Sequence, residues 1–183
     1  MGSSISMRNV IKKLPVYTAM LDDYENLNKH LMKLISSYRE AYPKKEEHTN
    51  LRAWRSEYDT HIKEDKFEHL IEECSRMAKV VSDDFYDTSG PLLPSGFWVA
   101  QYDEGEYARN HHHYPADWSA VYYIDVDERS APIIFEDDVS VAPKSGMMVL
   151  FPGNMRHRVP KTDSPRTVAA MNLVKKLDIL EVD

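Results

Sequence analysis

Asn110-His111-His112-His113-Tyr114-Pro115 gathers three of the chain's eight histidines into one run, and an aromatic, β-branched segment, Ser119-Ala120-Val121-Tyr122-Tyr123-Ile124, follows it. Alternate side chains of an extended strand share a face, so His111 and His113 would project together and His112 away. Two neighbouring imidazoles can hold a metal ion if the fold supplies a third ligand. His157 is a candidate: it stands beyond the turn Pro152-Gly153-Asn154, 46 residues after His111, so only tertiary structure can join the two. Arg166 follows nine residues later, at the start of a strand-like segment. A guanidinium there offers a carboxylate a planar fork that a lysine cannot match.

These residues need a scaffold, and hydrophobic periodicity supplies its outline. Tyr24, Leu27, Leu31, Leu34, Ile35 and Tyr38 recur at steps of three and four, predicting an amphipathic helix from Asp22 to the residues before Pro43. Asp22 and Asp23 suit its positive N-terminal end. A second helix is predicted from about Lys63 to Phe85, with the stripe Phe67, Leu70, Ile71, Cys74, Met77, Ala78, Val81 and Phe85. After Pro91 and Pro94 the pattern changes to short strands over 96–102, 118–125, 131–135, 147–151 and 167–174, each bounded by Pro, Gly, Asp or Ser. Helices first and strands afterwards predict an α+β domain with a mainly β core, an antiparallel sandwich or barrel. Residues 1–20 read as a lead-in, with Val10-Ile11 and Val16-Tyr17 as its only apolar marks. Residues 21–183 read as a single domain, with helices within 22–86 and the β core within 95–175.

Composition narrows the function classes. The 183 residues are 42% hydrophobic and 29% charged, ordinary values for a globular protein. A net charge of −7 disfavours a general nucleic-acid binder, which needs a basic surface. No apolar stretch approaches the roughly 20 residues that span a bilayer, and residues 1–10 lack the apolar core of a secretory signal. The single cysteine, Cys74, excludes an internal disulfide, reads as a small core residue, and points to a reducing, cytoplasmic setting.

The ordered set of elements from His111 to Asn172 resembles the Fe(II)- and 2-oxoglutarate-dependent oxygenases, above all the bacterial and phage proteins related to prolyl hydroxylases. The likeness rests on His111-His112-His113, Val121-Tyr122-Tyr123, Ile134-Phe135-Glu136-Asp137, Pro143-Lys144-Ser145-Gly146, the strand Met147 to Phe151, His157-Arg158-Val159, and Arg166. It covers about residues 95–175, with Trp54 to Ser56 and the second helix as an extension. The resemblance implies a double-stranded β-helix, or jelly-roll, barrel with the two helices packed on it. It implies His111 as the first iron ligand, His157 as the distal one, and Arg166 as the partner of the far carboxylate of 2-oxoglutarate. Tyr102 and Tyr123 fall where such enzymes hydrogen-bond the cosubstrate. Implied with them are O2 as co-reactant, ascorbate as an auxiliary reductant, and hydroxylation of an organic substrate, small molecule or amino-acid/peptide, with release of succinate and CO2.

Two departures stand out. The position two residues after the first histidine, normally Asp or Glu, is His113. Either His113 is a third nitrogen ligand, or a carboxylate such as Asp117 reaches in, or water completes the site. Val168 stands where many relatives carry a hydroxyl residue, and Thr167 beside it should face the other way. His113 also keeps a second class open, a cupin-like three-histidine metal protein that does not use 2-oxoglutarate. A third class is an inactive barrel kept as a binding module. Trp118 could serve the substrate mouth or packing, Tyr122 reads as a packing aromatic, and Glu136, Asp137 and Asp138 read as a turn.

Overall fold

The computed structural model describes residues 15–43, 50–86 and 91–176. Most of the expected lead-in, with Val10-Ile11, and the polar stretch 44–49 lie outside the described residues. In chain order the elements are β1 (Tyr17–Met20), α1 (Tyr24–Ala41), β2 (Leu51–Arg52), β3 (Trp54–Arg55), α2 (Thr60–Lys63), α3 (Glu68–Tyr86), β4 (Leu92–Tyr102), β5 (Tyr107–His111), β6 (Trp118–Asp125), β7 (Ile133–Phe135), β8 (Ser140–Val141), β9 (Met147–Pro152), β10 (His157–Val159) and β11 (Arg166–Lys175). The result is a mixed helix and sheet protein with a mainly antiparallel β core. One sheet has six strands in the order β1-β9-β6-β11-β4-β3, and the other has five in the order β2-β5-β10-β7-β8. From β4 onward the chain crosses repeatedly between the two sheets, pausing only at the β7–β8 pair.

Two apolar clusters hold the layers together. The outer face of the six-stranded sheet, with Phe97, Val99, Trp118, Ala120, Tyr122 and Leu150, packs against Leu31 and Ile35 of α1 and Leu70, Cys74 and Ala78 of α3. The inner face, with Trp98, Ala100, Tyr123, Val149 and Phe151, meets Ala108, Ile133, Phe135 and Val159 of the five-stranded sheet. The six-stranded sheet is thus covered on both sides, which is why β9 is an unbroken apolar run with all six residues buried. Of the stripes expected from periodicity, Leu27, Leu31, Leu34, Ile35 and Tyr38 of α1 and Leu70, Ile71, Cys74, Met77, Ala78 and Val81 of α3 form the faces that cover it, while the side chain of Phe85 lies outside the described residues. Cys74 is a buried core residue whose thiol pKa is pushed up by burial.

The second helix differs from the sequence expectation at its start. Glu64 is extended, and a turn of 3-10 helix at Asp65–Phe67 separates α2 from α3. The Thr60 hydroxyl ties α2 back to Ser56 Oγ (2.7 Å) and to the Glu57 carbonyl (2.6 Å), and the break lets Phe67 enter the core against Phe97 with ring centres 4.9 Å apart. β7 begins at Ile133 rather than at Ala131 because Pro132 has no N–H for the ladder. Trp118 and Tyr122 are core aromatics; the Tyr122 hydroxyl donates to Asn28 Oδ1 (2.7 Å), and Asn28 Nδ2 donates to the Ile124 carbonyl (2.6 Å), pinning α1 to β6. Among the described residues no helix is long and apolar enough to cross a membrane.

Candidate metal centre

Sheet register solves the problem of bringing together two histidines 46 residues apart. His111 ends β5 and His157 begins β10, and the antiparallel pairing sets them directly opposite one another. Residues so paired have Cβ atoms roughly 5 Å apart. Their ring centres are 4.3 Å apart. His113 lies past the end of β5, in a loop rather than in the strand expected for the whole run, yet its ring still joins the others. Its centre is 5.0 Å from that of His111 and 5.1 Å from that of His157. One ligand atom from each of the three lies within 4.8 Å of the others. His112 turns outward, as alternation predicts, and accepts the Tyr114 backbone N–H on Nδ1 (3.2 Å).

Hydrogen bonds settle which nitrogens are available on two of the rings. His111 Nδ1 meets the Arg109 carbonyl at 2.7 Å, and His157 Nδ1 meets the Met155 carbonyl at 3.1 Å. A carbonyl only accepts, so each Nδ1 carries the proton and each Nε2 keeps its lone pair. Burial lowers the pKa of all three rings, that of His157 well below the ordinary value and that of His113 to about 3, with the neighbouring imidazoles adding to the effect. The cluster is therefore three neutral nitrogen donors near pH 7, the protonation state a divalent metal requires.

The same shift has a consequence for stability without metal. Unfolded histidines titrate near 6.5, while the folded rings resist protonation to much lower pH. As pH falls below about 6.5 the unfolded chain takes up protons that the folded chain refuses, so stability declines toward acid and levels off above. Urea denaturation of the metal-free protein between pH 5 and 7.5 should show this slope, and His113→Asn should make it shallower.

Arg166 completes the cavity. It opens β11 beside Tyr102 on β4, is only 3% exposed, and donates from Nη1 to the Ala131 carbonyl. Its Nε has no partner, and among the described residues no carboxylate pairs with it. Its guanidinium carbon lies 5.1 Å from the Tyr102 ring centre and 5.3 Å from that of Tyr123. Burial pushes the Tyr102 phenol up to about 12 and raises that of Tyr123, with Arg166 opposing both shifts. The Tyr123 hydroxyl makes no hydrogen bond of normal geometry, although it stands close enough to feel that charge. Tyr102, Arg166 and the three histidines line one cavity, whose apolar wall includes Trp98, Val159 and Val168. A buried, unpaired guanidinium beside three neutral imidazoles fits a divalent metal together with an anionic ligand.

The Asp117 carboxylate accepts the Lys175 backbone N–H at 2.7 Å and is not part of the histidine cluster. Asp117→Asn should therefore change metal affinity less than about tenfold, while costing on the order of 1 kcal/mol of stability. Metal titration followed by denaturation checks both. Thr167 accepts a hydrogen bond from Gln101 Nε2 (3.2 Å) while Val168 lines the cavity, so β11 sets no hydroxyl beside Arg166. Glu136–Asp138 is a turn, with Glu136 Oε1 accepting the Arg156 N–H at 3.1 Å.

Four residues of the site escape a reading of the sequence. Trp98 shares its strand face with Ala100 and Tyr102, a period-two signal that could have found it. Arg55 and Tyr58 precede the β core and come to the cavity only through the pairing of β3 with β4. Gly153 holds the His113 loop: its carbonyl accepts the His113 N–H (2.7 Å), and its own N–H donates to the Asp117 carbonyl (3.0 Å).

Two antiparallel sheets enclose a three-histidine cluster that could hold a metal ion, and with it a buried arginine. Among solved structures this chain shares its fold with the non-heme alpha ketoglutarate dependent carbocyclase SnoK from nogalamycin biosynthesis (TM-score 0.71, 11% identity, 87% of this chain and 79% of that one). The same holds for a prolyl-4-hydroxylase of Pseudomonas putida (TM-score 0.66, 14% identity, 88% and 93%). It holds also for the epimerase SnoN, solved in complex with Fe3+, alpha ketoglutarate and nogalamycin RO (TM-score 0.62, 12% identity, 92% and 87%). The chain matches no protein-family model and no curated protein.

Proposed function

We propose that this chain is an Fe(II)- and 2-oxoglutarate-dependent dioxygenase that hydroxylates, or otherwise oxidises, an organic substrate, on a double-stranded β-helix barrel covered by α1 and α3. The observation that carries the reading is one cavity lined by three neutral imidazoles, with one ligand atom of each within 4.8 Å of the others, and by a buried Arg166 that has no carboxylate partner among the described residues. The shared fold with an epimerase solved with Fe3+ and alpha ketoglutarate supports it.

His111 and His157 present Nε2 to the metal, their tautomers held by the Arg109 and Met155 carbonyls, and His113 supplies the third nitrogen. Arg166 anchors the distal carboxylate of 2-oxoglutarate with its fork, and the Tyr102 and Tyr123 rings confine that fork on two sides. The apolar wall of Trp98, Val159 and Val168 keeps bulk water from the metal face. The metal, 2-oxoglutarate and O2 supply the oxidising chemistry once bound. The substrate is a small molecule or an amino-acid or peptide group, and the lone buried Cys74 supports a cytoplasmic setting.

Anaerobic titration with Fe(II) and then 2-oxoglutarate tests this, through the weak visible charge-transfer band of a chelated keto acid. The band should form in the wild type and be lost in Arg166→Ala. His113 in the usual carboxylate position favours one other reading, a three-histidine metal protein that does not use 2-oxoglutarate. Iron binding with no band would establish that reading, and no iron binding would sink both.

A further inference from the structure

Among the described residues no carboxylate orients the buried Arg166, so its direction comes from elsewhere. Its Nη1 donates to the carbonyl of Ala131, in the segment between β6 and β7. Ala131 is held in turn by Thr162, in the segment between β10 and β11. The Thr162 hydroxyl accepts the Ala131 N–H (3.1 Å) and donates its own proton to the Ser164 carbonyl (2.7 Å). Its main chain is fixed as well: the Thr162 N–H donates to the Glu106 carbonyl (3.0 Å), and its carbonyl accepts the Gly105 N–H (2.8 Å). One buried residue therefore ties together the segments that follow β4, β6 and β10.

Ala131 is constrained from both sides. Pro132 follows it, and the residue before a proline is confined to extended backbone. With its N–H on Thr162 and its carbonyl carbon bonded to the proline ring nitrogen, Ala131 has little freedom to turn its oxygen away from Arg166. Ser164 and Ser130 brace the same corner. Ser164 Oγ donates to Asp127 Oδ1 (2.5 Å), which makes Ser130 the donor in the 3.2 Å contact between the two hydroxyls. All three hydroxyl residues are buried. A carboxylate gripping Arg166 directly would orient it and neutralise it at once. A carbonyl held by Thr162 orients it and leaves its charge for an incoming anion.

We propose that Thr162 is a positioning residue for cosubstrate binding: by fixing the Ala131 carbonyl, it aims the Arg166 guanidinium at the distal carboxylate of 2-oxoglutarate. The identity of that anion rests on the oxygenase reading, whereas the hold on Arg166 rests on the hydrogen bonds alone. Thr162 does not line the cavity, so its effect passes through Ala131.

Thr162→Val keeps the shape of the side chain and removes the hydroxyl, leaving the Ala131 N–H and the Ser164 carbonyl without their partner. The Fe(II)-loaded protein without O2 is titrated with 2-oxoglutarate and with 2-oxobutyrate, which has the same keto acid end and lacks the distal carboxylate. The ratio of the two dissociation constants, read from the visible charge-transfer band, reports the distal carboxylate alone. Thr162→Val should lower that preference by about tenfold or more, the scale on which loss of an outer hydrogen-bond partner weakens a site. Thr162→Ser should restore most of it. Tyr122→Phe, which removes a buried hydroxyl on the helix-covered face, should leave it unchanged. Should Thr162→Val fail to fold, Thr162→Ala is scored by the same ratio. An unchanged ratio, or an equal weakening of both keto acids, gives Thr162 a structural role only and overturns the proposal. A second readout needs neither metal nor cosubstrate. In nitrogen NMR spectra of the metal-free protein, the Arg166 Nη signals, identified by their loss in Arg166→Lys, should be separate in the wild type and merge through faster rotation in Thr162→Val. Signals that stay separate in that variant also overturn it. Absence of the charge-transfer band in the wild type would count against the oxygenase reading alone, because the Nη signals still score the hold of Thr162 on Arg166.

Discussion

Arg166→Gln should weaken 2-oxoglutarate binding by about 30- to 1000-fold, the equivalent of about 2–4 kcal/mol, while the stability of the ligand-free protein stays within about 1 kcal/mol of wild type. The two halves of this result have one cause. Arg166 is 3% exposed, its Nε has no partner, and its Nη1 donates to a neutral acceptor, the Ala131 carbonyl. A cation desolvated without a counter-ion contributes little to folding, and losing it removes a cost as well as a hydrogen bond. An incoming carboxylate supplies the missing anion, so nearly the whole value of Arg166 is realised on binding. Arg166→Lys keeps the charge without the fork and should fall between the two. Calorimetric titration and urea denaturation measure both quantities; an unchanged affinity for 2-oxoglutarate would place the cosubstrate elsewhere.

Gly153→Ala should cost about 3 kcal/mol or more and should weaken metal binding with it. A Cβ at this position would stand 2.1 Å from the Ala116 carbonyl oxygen and 2.7 Å from its carbon. Both are backbone atoms, so no side-chain rotation relieves the overlap. Relief requires the loop from His113 to Asp117 to move away from β9. That loop is fastened by the His113 N–H on the Gly153 carbonyl and by the Gly153 N–H on the Asp117 carbonyl. Moving it carries the His113 ring from its place beside His111 and His157. A thermal melt of the metal-free protein reports the first effect and a metal titration the second. Preserved affinity with lowered stability would mean that His113 is not a ligand.

The parts of the site that depend on order along the chain are legible in the sequence. His111, His157 and Arg166 stand out by residue type and by position at strand ends, and α1 and α3 by period. What depends on register is not legible. His113 leaves the strand yet stays with His111, because its N–H bond to the Gly153 carbonyl holds the loop at the cavity. Asp117 is an equally good ligand candidate by residue type, and only the packing of its loop against β11 commits its carboxylate to the Lys175 N–H. Arg55 lies in a segment without periodicity, two residues after Ala53, and only the pairing of β3 with β4 turns it inward. Short edge strands such as β2 and β3 carry too few residues for alternation to declare itself.

His111 and His157 face each other across β5 and β10, and β6 to β9 all lie in the chain between them. A shared metal closes that span as a disulfide would, but reversibly, and its hold is set by mass action. At a free-metal level 100 times the dissociation constant, the folded state gains about 2.7 kcal/mol. On the proposed iron-dependent reading, iron supply would govern how long the chain survives as well as whether it turns over. A cell short of iron would hold a more easily degraded population of this protein, and abundance would follow the metal before any regulator acted.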